Sequence, residues 1–318
     1  MASVLSIFAT AILPILAVGA AGFVLGRVKD VQTDPLNTVV VYVLAPALVF
    51  HSLATTTIAE STLLQVVVAV VAYHLVMILL AEGVGRALGE TDPLLSAVVL
   101  VSAFSNSGNY GIPVSNFAFG QTGRATAVLF LSVQGVLIYT LGVFIASRGG
   151  GRGGLDGVKR VFKIPLVYAV LAALLVRYFG VAPPTESTAM VTLKLVGDAS
   201  IPLMLLMLGI QLSQTDVGET LRTVGVVTAL KMVVAPVVGV GVVTAVGFSD
   251  PTVAKTIVLE TAMPAAVTPL ILVAEFSEGQ VAGVSLAEFV STAVFVTTLV
   301  SIPLLTVTIA VLESGFLF

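Results

Sequence analysis

The sequence predicts an all-α membrane protein of ten transmembrane helices, arranged as two inverted five-helix repeats in which helices 4 and 9 are broken. Three observations predict it. Only 10% of the 318 residues are charged and 58% are hydrophobic, with a mean hydropathy of +1.13, whereas a soluble domain carries about 25% charged residues. Ten charge-bounded apolar runs follow one another along the chain, each near the roughly 20 residues that cross a bilayer as helix. Turn-like segments interrupt the fourth run of each half, SNSGNYGIP at 105–113 and AMPAAVTP at 262–269. Strand-length alternation is missing, and backbone groups cannot go unpaired in lipid, so the spanning elements are read as helices.

Span 1 (3–26) has no basic region ahead of its apolar run and is longer than a signal-peptide core, so it reads as a retained helix. Span 2 (35–58) carries Pro46 near its middle. Span 3 (62–83) carries His74 and Glu82, two turns apart, either a proton relay or two separately packed groups. Span 4 (93–119) lies in the uncharged run between Asp92 and Arg124 and holds the first break. Span 5 (125–147) places Ser132 and Gln134 where they can face the interior. A Gly-rich basic stretch, SRGGGRGGLDGVKRVFK (147–163), reads as a flexible linker, with anionic lipid as the alternative partner of its basic end. Span 6 (164–183) opens on Pro165, matching Pro14 of span 1. Span 7 (189–213) carries Pro202, matching Pro46, and an i, i+4 pair, Lys194 and Asp198. Span 8 (223–247) carries Lys231 nine residues in. Span 9 (252–275) has Glu260 ahead of Pro264 and Pro269, the second break. Span 10 (285–312) completes the second half.

The repeats are therefore 1–147 and 164–318, joined by a linker at 148–163. Arg27, Lys29, Arg86, Arg148, Arg152, Lys159, Arg160, Lys163 and Arg222 fall in odd connections, against Arg124, Arg177 and Lys255 in or near even ones. That bias puts the odd connections in the cytoplasm and both termini outside. Five spans per repeat make the second half enter from the opposite side, and matched interruptions in such repeats point to a transporter binding site.

Proline lacks an amide donor and disfavours helix in the residue before it, so Gly108, Gly111 and Pro113 predict non-helical backbone over 105–113. Broken helices at the midplane offer positive N-termini to an anion and freed carbonyls to a cation. Ser105, Asn106, Asn109 and Asn116 add neutral donors and acceptors. The alternative for either span alone is a simple kink. Glu260 is read as a cation or proton site, against a buried structural carboxylate. Lys231 is placed to balance Glu260, Asp198 or a substrate charge, or to form a structural ion pair. No HExxH, GxSxG or P-loop is present, the two His are not clustered, and Cys is missing, so enzyme chemistry and thiolate metal sites are not expected. The net charge of −3 suggests no nucleic-acid partner.

These residues resemble the auxin efflux carrier family. The matching segments are Asn106-x6-Pro113 with Gly111-Ile112-Pro113, VGDASIPLMLLMLGIQL (196–212), AMPAAVTPLILVAEF (262–276) and STAVFVTTLVSIPLL (291–305). The resemblance runs over essentially the whole chain. It implies a fold similar to the bile acid sodium symporters, with spans 4 and 9 crossing at their breaks. It further implies a scaffold of spans 1, 2, 6 and 7, often a homodimer interface, and an elevator-like transport domain of spans 3–5 and 8–10. By the same resemblance Asn106 contacts a substrate carboxylate, and Pro113 and Pro264 are crossover prolines. Glu260-Thr261-Ala262-Met263 and Ser105-Asn106 look like sodium-ligand segments of the symporters, whereas the plant auxin exporters carry no acid at the position of Glu260. Proline at 264 stands where the symporters place a polar ligand, which speaks against a second sodium.

The expectation is a secondary active transporter of a small organic anion, auxin- or malonate-like, in the cell (inner or plasma) membrane. Substrate binding is expected at Asn106, Asn109, Gly111, Pro113, Pro264, Ala265 and Ala266. Ion coupling is expected at Glu260, Ser105, Ser132 and Met263, with sodium favoured over a proton, and Lys231 and His74 as charge partners. Apart from that ion no cofactor is expected. An uncoupled facilitator and a non-transporting receptor on the same fold are the alternatives.

Overall fold

The computed structural model describes residues 9, 13–29, 31–56, 58–149, 165–214, 221–277, 280–281 and 284–317. The linker at 150–163 and the first turns of span 1 lie outside them. The helices, in order, are α1 (Leu13–Val28), α2 (Thr33–Ala54), α3 (Glu60–Ala87), α4 (Leu94–Ala103) and α5 (Ser107–Ala146). The second half has α6 (Pro165–Tyr178), α7 (Thr188–Ser213), α8 (Leu221–Ala229 running on into Ala235–Val246), α9 (Pro251–Thr261), α10 (Thr268–Phe276) and α11 (Leu286–Glu313). Two short strands, β1 (Gln280–Val281) and β2 (Val284–Ser285), pair antiparallel just before α11. Among the described residues, six helical stretches are long and apolar enough to cross a membrane. Large apolar side chains such as Leu64, Leu79, Leu195 and Val237 point outward, as a lipid-facing surface requires. The molecule is an all-helical, multi-pass membrane protein.

Local chemistry sets the helix ends. Asp250 caps α9 by accepting from the Thr252 amide at 2.8 Å, and Ser285 with Glu288 forms a reciprocal capping box on α11. Three of the π turns, Val40–Leu44, Ser107–Gly111 and Leu230–Val234, each end two residues before a proline, Pro46, Pro113 and Pro236, whereas Ile138–Gly142 does not. The cause is steric: a proline ring clashes with the carbonyl four residues back, and the preceding turn widens to accept it.

The breaks are shorter than the prolines alone predict. In the first, only Phe104–Asn106 leave the helix, and α5 restarts at Ser107. Pro113 is accommodated because the π turn before it spares its missing donor and Pro113 opens the α-helical part. In the second, residues 262–267 are non-helical and Pro269 starts α10.

α5 is a 40-residue helical run, twice what one crossing needs, and Gly120 divides it into arms at 107–119 and 121–146. Gly120 has φ 61° and ψ −145°, a conformation open essentially to glycine alone. The two arms cover the residues that the sequence reads as the second half of span 4 and as span 5, with one residue between them.

Two packing groups share the molecule. α1 lies on α7, and α2 lies on α6 and α7; α3, α4, α5 and α8–α11 pack mainly among themselves. Backbones touch within the first group: a Cβ on Gly209 would meet the Phe23 nitrogen at 2.7 Å, and one on Gly22 the Leu206 carbonyl carbon at 2.9 Å. Such small-residue contacts are how membrane helices approach closely without a hydrophobic driving force. The groups meet where α2 and α7 face α5.

Candidate functional site

The two breaks lie against each other. Ser105 and Ala265 form an antiparallel β-bridge, closed by the Asn106 amide donating to the Pro264 carbonyl at 2.8 Å and the Ala266 amide donating to the Phe104 carbonyl at 3.0 Å.

Each interrupted helix leaves backbone groups unpaired, and at the crossing the two breaks satisfy one another.

Side chains of α3, α5, α8 and α11 hold the crossing. Gln134 of α5 grips Ser105 from both sides: its oxygen accepts from the Ser105 amide at 3.1 Å and its NH2 donates to the Ser105 carbonyl at 2.8 Å. His74 of α3 lies with Nε2 3.1 Å from the same Gln134 oxygen and Nδ1 2.7 Å from the Val70 carbonyl. Thr297 of α11 accepts from the Ala265 amide at 3.2 Å. Lys231, wholly buried in the π turn of α8, donates to Ser105 Oγ at 2.6 Å, Tyr73 OH at 3.1 Å and the Thr261 carbonyl at 3.2 Å.

Glu260 is also wholly buried. One carboxylate oxygen accepts from Ser115 Oγ at 2.7 Å, and the other makes no hydrogen bond of good geometry, with the Ser107 hydroxyl as its nearby donor. The carboxylate lies against Gly111, where a Cβ would stand 2.8 Å from its carboxyl carbon. Gly111 thus makes room for Glu260. Asn106 Nδ2 and Ser107 Oγ are buried without a well-formed hydrogen bond. Buried polar groups are nearly always paired, so an unused amide donor and an unused carboxylate oxygen at one crossing leave capacity for a ligand.

The structure therefore brings Ser105, Asn106, Gly111, Pro264, Ala265, Ala266, Glu260, Lys231 and His74 into one buried region. Pro113 and Met263 are buried beside it, and Asn109 is partly exposed. Ser132 turns its hydroxyl to the Val128 carbonyl of its own helix, at 2.7 Å. Glu82 binds Arg86 and Arg148, each at 2.7 Å, so it does not meet His74. Asp198 binds Lys194 at 2.6 Å and also Arg124 of α5, which donates to Ser52 of α2 at 3.1 Å. Tyr73, Ser115, Thr297 and the Arg124 contact were not singled out by the sequence, because nothing local marks them.

A family profile described as membrane transport protein matches residues 7–154 and 157–309. A protein of Methanothermobacter thermautotrophicus, described as an uncharacterized transporter, is 27% identical over 286 residues, covering 88% of this chain and 90% of the relative. A Rhizobium meliloti protein described as a "putative malonate transporter" is 23% identical over 316 residues, covering 96% of each. With the motifs of spans 4, 7, 9 and 10 in order and the profile matched along nearly its whole length, the chain belongs to the membrane transport protein family, that of the auxin efflux carriers.

Proposed function

We propose that the protein is a secondary carrier of a small carboxylate, bound where the two breaks cross. The observation that carries this is the buried crossing itself, with Asn106 Nδ2 left without a partner beside it. An amide donor suits a carboxylate oxygen. The relative described in terms of malonate points to the same substrate class. Glu260, with one carboxylate oxygen unused, is the coupling group, taking sodium or a proton.

In this reading the helices form ten spans in two inverted repeats, with both termini outside the cell membrane. α1, α2, α6 and α7 are the scaffold and homodimer face; α3–α5 and α8–α11 are the moving unit. Ser105 and Asn106 are at most 5% exposed, so the site must be uncovered by movement, as alternating access requires. The test is a thermal-shift screen of carboxylates, including malonate and indole-3-acetate, with and without sodium. A carboxylate that stabilises the protein should lose its effect in Asn106→Ala, while the unliganded variant melts near the parent. Undiminished stabilisation of Asn106→Ala would remove Asn106 from the site.

A further inference from the structure

We propose that Lys231 is a tethered cation, its ammonium filling the position at the crossing that a soluble coupling ion would otherwise take. In carriers built on broken helices, half-helix C-terminal ends and unwound carbonyls hold the coupling cation. Here α9 ends at Thr261 and α4 at Ala103, two residues before Ser105. Lys231 Nζ is bound by the Thr261 carbonyl, Ser105 Oγ and Tyr73 OH. Neutral oxygens are the ligand type a hard cation takes, and here three of them surround one monovalent charge.

The ammonium has three donors, and all three are used. Burying a charge is costly unless it is fully hydrogen-bonded, and this one joins Ser105 of the first break and the last residue of α9 to α3. Glu260 does not neutralise it directly: no ion pair links them among the described residues. The crossing thus has two distinct polar positions, one filled by Lys231 and one at the unused oxygen of Glu260. The proposal rests on reading the crossing as a carrier's site, and it leaves Glu260 as the place for a soluble ion.

The purified full-length protein is melted in sodium, methylammonium or N-methyl-D-glucamine chloride at one ionic strength, without substrate. Lys231→Ala should melt lower than the parent and recover several degrees, saturably, in methylammonium or sodium. The parent should show no such added response, and any effect at Glu260 is common to both. An equal shift in both proteins, or none in the variant, overturns the proposal. If Lys231→Ala does not fold, Glu260→Gln decides: with Lys231 in place it should show no saturable cation response, and one that persists overturns the proposal. Because no arm contains substrate, failure here is distinct from failure of the Asn106 test.

Discussion

Gln134 is the residue on which the crossing depends most directly, since it satisfies both backbone groups of Ser105. Leaving a buried donor or acceptor unpaired costs about 1–3 kcal/mol, so Gln134→Leu should lower the melting temperature clearly. Gln134→Glu should not rescue it at a pH where the new side chain is ionised, because a carboxylate accepts from the Ser105 amide but cannot donate to its carbonyl. Parent-like melting of Gln134→Glu would sink this account. The sequence reads both Ser132 and Gln134 as inward-facing, and both are buried. Gln134 reaches the crossing, whereas the shorter Ser132 bonds the Val128 carbonyl of its own helix.

At the scale of elements, prolines do more than interrupt. Pro236 widens the turn that carries Lys231. Pro236→Ala restores an amide and lets α8 regularise, which should rotate Lys231 away from Ser105 and Thr261. Transport or substrate affinity should fall roughly tenfold, about 1.4 kcal/mol, with helix content by circular dichroism unchanged. Equal affinity would show that the wide turn does not position the lysine. The two breaks, Asn106, Glu260 and Lys231 were legible in the sequence, because proline, amide and charge are conspicuous in apolar runs. Tyr73, Thr297 and Ser115 were not: hydroxyls are common in membrane helices, and their partners lie 145 to 188 residues away for Ser115 and Tyr73.

Across the whole molecule, the Arg124–Asp198 ion pair joins the two packing groups, with Ser52 as a further partner. Arg124 is 7% exposed and Asp198 36%, so the pair is better shielded than a surface one. A double-mutant cycle on Arg124→Ala and Asp198→Ala should give a coupling of at least about 1 kcal/mol, above most exposed pairs. Coupling near zero would mean that the groups are held by apolar packing alone. The sequence showed Lys194 with Asp198, an i, i+4 pair readable from spacing, but not Arg124, which reaches Asp198 only once the groups are docked.

Gly120 has a mechanical consequence. The arm that begins at the first break and the arm that carries both Arg124 and Gln134 meet at this single residue, with no connecting loop to absorb displacement. The half-helix beside Asn106, the clamp on Ser105 and the ion pair at the group boundary therefore all lie on one helical run bent at one residue. A Cβ built on Gly120 would meet nothing within 4 Å, so the single residue that joins the arms has open space beside it.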